Sequence, residues 1–286
     1  MNILVTGSNG QLGSELQSQS DKFPHFQFYF VDVDQLDITS ETDVFRFFDE
    51  NEINICINCA AYTAVDKAET DHELALNVNA IGPENLAKAC NRRSARLIHI
   101  STDFVFDGKS DTPYKTDAAK SPINVYGETK AEGESRVLLI AQNIVLIRTS
   151  WVYSSFGSNF IKTMIRLGQE KDSLNVVSDQ IGQPTYAKDL AEAILTLVAE
   201  GTDLPNGIIH YSNEGAISWF EFAATIMELY GLDCQVNPIP TSDYPTPATR
   251  PHYSVLDLSE TRKLSYIKIN DWKDSLKECI KLLKQQ

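Results

Sequence analysis

The apolar run NILVT leads directly into TGSNGQLG, residues 6–13, and no other stretch limits the fold so tightly. Gly7, Gly10 and Gly13 recur every three residues between a strand-like segment and an amphipathic one. Missing side chains there permit a tight turn, close approach of backbone to a bound group, and close packing of helix on strand. The unpaired amides of a helix N-terminus then face the bound group and favour an anion. The array predicts a strand–turn–helix that cradles the pyrophosphate of a dinucleotide. Asp32 closes the second strand-like run, FQFYFVD, about twenty residues on, where a carboxylate can accept hydrogen bonds from an adenosine ribose. Asp34 lies close by, and a strand-end turn carboxylate is the alternative for either residue.

The same alternation continues through the first half. A helix is expected from about 10 to 20, another from Ser40 to about Asn51, then the strand NICINCAA, a helical stretch from about 71 to 93, the strand RLIHIST, a helix holding VYGETK, and the strand NIVLIRTS. Short apolar runs separated by amphipathic helices imply parallel strands joined by crossovers, hence an α/β, Rossmann-like doubly wound parallel sheet. Residues 1–150 are expected to form this NAD(P)-binding unit, with a later contribution from about 175–200, and residues 151–286 mainly a smaller substrate-binding lobe. Five prolines between 237 and 251 predict an ordered surface loop or lid rather than a helix or central strand.

Composition removes several classes of function. Twenty-five Lys and Arg stand against 39 Asp and Glu, a formal charge of −14, so a nucleic acid would meet a repulsive field and any anionic ligand must be bound locally. No run reaches the roughly 18 apolar residues of a membrane span, and MNILVTG is too short for a signal segment. Five cysteines, at 56, 59, 90, 234 and 279, suit a reducing, cytoplasmic setting better than a disulfide framework. Cys56 and Cys59 form a C-x-x-C, but residues three apart in a strand face opposite sides, so core packing is expected rather than metal or redox chemistry.

Tyr126 precedes Lys130 by four residues, one turn of helix, with Ser121 and Pro122 reading as the N-cap and first helical residue. A phenol near pKa 10 is a poor acid at neutral pH, and a neighbouring ammonium is expected to lower that value. Tyr126 would then protonate a carbonyl oxygen as hydride reaches its carbon, and Gly127 would spare room for cofactor or substrate. Thr102, at the carboxyl end of RLIHIST, lies where ligands of open α/β sheets bind and can donate to the same oxygen. A threonine bonding its local backbone is the alternative.

Together these elements resemble the extended short-chain dehydrogenase/reductase superfamily, whose phosphate loop also takes the G-x-x-G-x-x-G spacing. AAYTAVDKAE (60–69), STDFVFDG (101–108), SPINVYGETKAEGE (121–134), RTSWVY (148–153), DQIGQPT (179–185) and PTPATRPHYSVLD (245–257) are similar to the dTDP-4-dehydrorhamnose reductase family. That resemblance implies NADH- or NADPH-dependent reduction of the C4 ketone of a dTDP-sugar, with Tyr126 as proton donor, Lys130 as its electrostatic and ribose-binding partner, and Thr102 tuning the site. It further implies that Gly10, Gln11 and Leu12 lie along the pyrophosphate, Asp32, Asp37 and Ile38 near the adenosine, and Ala61, Tyr62 and Thr63 under the cofactor. Thr102, Asp103 and Trp151 would touch the sugar nucleotide and Arg250 its diphosphate. From the residues alone, Trp151 as lobe-junction core and Arg250 as an ion-paired brace of the proline-rich loop stay open. Phe104 and Tyr253 depart from the family's usual tyrosine and asparagine. Mg²⁺ is associated with the family, and Glu15 and Glu192 are the available acids. A homodimer stands as a candidate assembly.

Two rivals are weighed. A sugar-nucleotide epimerase or dehydratase uses the same tyrosine and lysine with a retained NAD. A non-catalytic regulatory subunit of the methionine adenosyltransferase type would tolerate loss of the acid–base set, which is intact here.

Overall fold

The computed structural model describes residues 1–200 and 205–285. Five strands of the first half, β1 (Asn2–Thr6), β2 (Gln27–Val31), β3 (Ile55–Asn58), β4 (Arg96–Thr102) and β5 (Ile144–Thr149), form a parallel sheet. The helices between them are α1 (Gln11–Gln19), α2 (Glu41–Glu50), the short α3 (Val65–Ala68) and α4 (His72–Leu76), α5 (Gly82–Arg93) and α6 (Val125–Ile140). A π-helical segment, Asn77–Ile81, joins α4 to α5. In the second half come β6 (Val152–Tyr153), α7 (Phe160–Glu170), β7 (Ser173–Val177), β8 (Ile181–Gly182), β9 (Thr185–Tyr186) and α8 (Ala187–Glu200). They are followed by β10 (Gly207–His210), β11 (Ile217–Ser218), α9 (Trp219–Tyr230), β12 (Gln235–Ile239), α10 (Ser259–Arg262) and α11 (Trp272–Leu283).

The sheet runs β2-β1-β3-β4-β5-β10, so the chain winds outward from β1 in both directions and the order reverses between β1 and β3. The carboxyl ends of those two strands open the crevice in which such sheets bind ligands. The strands are apolar almost throughout because both faces are covered. Ile3, Val5, Ile55, Ile57 and Ile98 pack on the face covered by α1 and α8, while Leu4, Cys56 and Leu97 pack on the face of α2 and α5. The period of two thus separates Cys56, which contacts Cys90 in the second core, from Cys59, packed against the first, and all five cysteines are free. The second half returns to this unit twice, through α8 and then through β10, which pairs with β5.

A third core, with Ile161, Met164, Phe222, Ile226 and Leu276 among its members, holds α7, α9 and α11 together over the β7–β12 pair. Here the structure departs from the sequence-based expectation, because residues 237–239 continue β12 instead of forming loop. Proline lacks a donor, but a strand paired on one side only does not need one at Pro238. Beyond Pro240 the chain runs as a turn and loop across the cleft to Pro251.

Candidate active site

Gly7 has φ +64, and a Cβ on it would lie 2.6 Å from the Ala60 amide nitrogen; one on Gly13 would lie 2.4 Å from the Gly7 carbonyl oxygen. Backbone fills both positions, which locks the turn against β3. Gly10 is the N-cap of α1 and supplies no side-chain cap, so the first-turn amides of Gln11 and Leu12 face the crevice at the positive end of the helix. This donor set fits a pyrophosphate. Asp32 accepts the Asn9 amide on Oδ2 at 3.0 Å and the Val33 amide on Oδ1 at 2.8 Å, which pins the carboxylate beside the loop. Asp37 binds the amide and hydroxyl of Thr39, and Ile38 is buried, with its carbonyl held by Asn85.

Two asparagines that sequence reasoning missed hold the floor. Asn58 Oδ1 accepts the Thr6 hydroxyl (2.7 Å) and the Ala60 amide (3.2 Å). Asn79, fully buried in the π-helical segment, accepts the Tyr62 amide (2.8 Å) and donates to the Tyr62 carbonyl (3.1 Å) and the Thr129 hydroxyl (3.1 Å). It thereby ties Ala61–Tyr62–Thr63 to α6. No local motif marks Asn79, because its partners lie 17 and 50 residues away; π-helical turns are frequent at functional sites.

Helix α6 starts later than expected. Asn124, not Ser121, is the N-cap, its side chain accepting the Gly127 amide at 2.8 Å, and this places Tyr126 in the first turn. Gly127 has a reason other than the expected one: a Cβ there would stand 2.2 Å from the Phe104 carbonyl oxygen, so the helix is seated directly on the loop after β4. That contact brings Tyr126 beside Thr102, whose hydroxyl acts on the phenol.

The electrostatic expectation is reversed. Burial, helped by the Asp103 carboxylate, pushes Tyr126 up to about 12, and the Thr102 hydroxyl pulls the other way. Lys130 is not among the groups that move it. The lysine is 2% exposed and its Nζ donates to the Ile100 carbonyl at 2.7 Å. Burial draws its pKa down to about 8 against the pull of Glu134 and Cys59. Spacing puts both residues on one face of α6, but the carbonyl of β4 claims the ammonium. Glu134, one turn further on, is fully buried and forked by Arg148 (2.9 and 2.8 Å) with a third bond from Ser101 (2.6 Å), which fixes α6 to β4 and β5.

Beside Phe104 a cavity of about 780 Å³ opens between the two halves, lined among others by Asp66, Trp151, Phe160, Trp219 and Arg250. Trp151 adopts φ +46, a strained conformation for a bulky residue, and stacks on Trp219 with centroids 3.6 Å apart and planes 10° apart. One face of the indole is therefore occupied. Arg250 grips Asp66 through both carboxylate oxygens (2.5 and 2.8 Å) and donates to the Ala248 carbonyl (2.7 Å). The ion-paired brace is the state the structure holds: the Nη1–Nη2 end of Arg250 is committed to Asp66 and Ala248, and the Nε–Nη2 side carries no bond to them. Sequence offered no signal for Asp66 as its partner, 184 residues away.

Glu15 and Glu192 do not form a metal centre. Glu15 is buried and accepts the Ser154 hydroxyl at 2.6 Å, Glu192 is exposed, and the cation beside Glu15 is the Lys188 ammonium, paired with Glu278. Among the described residues no group of three or more His, Cys, Asp or Glu could hold a metal ion, so the expectation of Mg²⁺ is not supported.

A doubly wound parallel sheet, a glycine-rich turn at its switch point, and a tyrosine and lysine one turn apart beside a strand-end threonine define the extended short-chain dehydrogenase/reductase class. The model of the RmlD substrate binding domain matches residues 1–285. A dTDP-4-dehydrorhamnose reductase of Aggregatibacter actinomycetemcomitans is 39% identical over 285 residues, covering 96% of this chain and 97% of that one. The crystal structure of a dTDP-4-dehydrorhamnose reductase from Clostridium acetobutylicum superposes with a TM-score of 0.95 at 44% identity, covering 99% of this chain and 100% of that one. One from Bacillus anthracis, in complex with NADP, superposes at 0.94 with 38% identity, covering 98% and 99%. The chain belongs to the dTDP-4-dehydrorhamnose reductase family. No helix among the described residues is long and apolar enough to cross a membrane.

Proposed function

We propose that this chain reduces the C4 ketone of dTDP-4-dehydro-β-L-rhamnose to dTDP-β-L-rhamnose, the last step in making that sugar donor. The single observation that carries the chemistry is the half-buried, protonated Tyr126 phenol, set beside Thr102 at the carboxyl end of β4 and packed on Phe104, which lines a cavity large enough for a sugar nucleotide. The bound dihydronicotinamide supplies the hydride. Tyr126 gives its proton to O4 as the carbonyl carbon is reduced, so one hydride and one proton add across the C=O bond. A phenol held near 12 is the right form for this direction, since it keeps its proton until an alkoxide far more basic develops. Thr102 steadies that oxygen. Lys130 is charged at neutral pH and holds the nicotinamide ribose.

Gly7, Gly10, Gln11, Leu12 and Gly13 hold the pyrophosphate; Asp32, Asp37 and Ile38 border the adenosine; Ala61, Tyr62 and Thr63 lie beneath the cofactor. Both NADH and NADPH are compatible with the fold, but Asp32 favours NADH. Residues 32–41 carry four acids, and no Lys or Arg occurs between Lys22 and Arg46 to meet a 2′-phosphate. Asp103 and Trp151 contact the sugar nucleotide, and Arg250 binds its diphosphate by exchanging it for Asp66. Residues 1–150, with the return over about 175–200, serve the cofactor, and the rest mainly the substrate. A homodimer is the candidate assembly of this unit. Five free cysteines, four of them buried, agree with work in the reducing cytoplasm.

Incubation with dTDP-4-dehydro-rhamnose and each reduced cofactor tests this reading. Steady, stoichiometric loss of the dihydronicotinamide absorbance with appearance of dTDP-rhamnose is expected. Turnover of a sugar nucleotide with no net cofactor consumption would instead mark an epimerase.

A further inference from the structure

Thr102 has one hydroxyl proton and more partners than that proton can serve. Its Oγ1 accepts the Phe104 amide at 3.2 Å, donates to Asp103 Oδ1 at 3.0 Å, and lies beside the Tyr126 phenol, on which it acts. With one lone pair taken by the amide, one proton and one lone pair remain for Asp103 and for the Tyr126–ketone side. An ionised Asp103 can only accept, so it takes the proton. The remaining lone pair of Thr102 then accepts from Tyr126 and draws the phenolic proton away from the ketone. A protonated Asp103 donates into that lone pair, and the Thr102 proton is released toward the reacting oxygens. The phenolic proton is then free to move to O4.

The surroundings of Asp103 favour the second arrangement. The residue is 2% exposed, and its Oδ2 makes no close hydrogen bond among the described residues, the Ser254 hydroxyl being the donor that bears on the carboxyl besides Thr102. An ionised carboxylate with one bare oxygen in the interior is costly, whereas a neutral carboxyl leaves only a carbonyl unpaired. The groups that bear on it are the neutral hydroxyls of Ser254 and Thr102, the Phe104 amide, and across on α6 the neutral phenol of Tyr126. Lys130, the nearby cation on α6, commits its ammonium to Ile100. Burial outweighs the hydroxyls and raises the carboxyl to about 6.

We infer that Asp103 is a positioning residue that works through Thr102: in its protonated form it turns the Thr102 hydroxyl toward the Tyr126–O4 pair and so sets the direction of proton transfer. This rests on the reductase reading above. The test is the pH dependence of kcat at saturating keto sugar and cofactor, over about pH 5 to 9, for the native chain and for Asp103→Asn. The native kcat is expected to fall as pH rises past the Asp103 midpoint, approaching a loss of about tenfold per pH unit. The asparagine amide donates to Thr102 at every pH, so that limb disappears in the variant, and Thr102→Val loses it too, from a lower plateau. An unchanged limb in Asp103→Asn overturns the inference. Fluorescence titration with NADH checks that the variants are folded. Infrared difference spectra give a readout independent of turnover, in which a protonated-carboxyl stretch titrates in the native chain and is missing from Asp103→Asn. Absence of that band from the native chain at the acid end also overturns the inference. Failure to reduce the keto sugar at any pH would sink the reductase reading instead, and the infrared titration would still decide the state of Asp103.

Discussion

The two walls of the cleft are held by different means. On the cofactor wall, side chains grip backbone: Asn58 and Asn79 bind the amides of Ala60 and Tyr62, Asp32 binds those of Asn9 and Val33, and Gly7 and Gly13 let main chain meet main chain. On the wall proposed for the sugar nucleotide, side chains grip one another: Arg250 holds Asp66, and Trp151 lies on Trp219. The first wall is ready for its ligand. Under the proposed function the second carries internal stand-ins, Asp66 where a phosphate would sit and Trp219 where a flat ligand would lie, and binding there would be an exchange. An exchange gains less affinity than a new contact, but it keeps a cation and an aromatic in place in the free protein.

The largest expected effect removes the group that serves both walls. Tyr126→Phe lowers kcat by at least about 10²-fold while NADH still binds, as steady-state rates and fluorescence titration would reveal. Near-normal turnover would remove the phenol as donor. Next, Gly13→Ala forces a Cβ against the Gly7 carbonyl and Ser8, and overpacking of this kind costs roughly 1–3 kcal/mol. Both the denaturation midpoint and NADH affinity should drop, and a variant that loses neither would show the cofactor wall to be less rigid than drawn.

Lys130 separates stability from function. Its folded pKa of about 8 lies below the ordinary 10.5, so the folded state bears no penalty above pH 10.5, loses stability as pH falls from 10.5 to 8, and carries a constant cost below that. At pH 7 the full cost, on the order of 3 kcal/mol, applies, offset by the bond to Ile100. Lys130→Met is therefore expected to raise Tm at pH 7 while it weakens cofactor binding and slows turnover. A lower Tm would mean that the Ile100 bond outweighs desolvation.

The exchange itself is tested by Arg250→Ala, expected to raise the KM for the sugar nucleotide by about tenfold, set against Asp66→Asn, which frees the guanidinium and should leave KM unchanged or lower. Equal increases in both would make the pair a brace and nothing more. The smallest effect is at Asp32, where Asp32→Ala should shift the NADH/NADPH ratio of kcat/KM several-fold toward NADPH.

Periodicity made the parallel sheet legible because strands covered on both faces must be apolar at every position, and Cys56 and Cys59 fell on the sides their spacing required. It misplaced the start of α6, since Ser121–Pro122 looks like a helix start whereas Asn124 makes the bond. Pro238 argued for loop, yet an edge strand tolerates it. The resemblance of STDFVFDG and SPINVYGETKAEGE to a family pointed to Thr102, Tyr126 and Lys130. The structure then brought Thr102 and Tyr126 into contact and turned Lys130 toward a carbonyl.

By itself the sequence determined the features that neighbours along the chain dictate: the glycine turn, the amides it presents, the helix that puts a phenol and an ammonium on one face, and the alternation that builds the sheet. Those are set by φ/ψ limits and by periods of two and 3.6. Only the tertiary structure decided which charges and rings are already partnered. Lys130 with Ile100, Arg250 with Asp66, Trp151 with Trp219 and the bare oxygen of Asp103 depend on residues distant in sequence and on burial, and burial sets both the strength of a bond and the protonation state of the group that makes it.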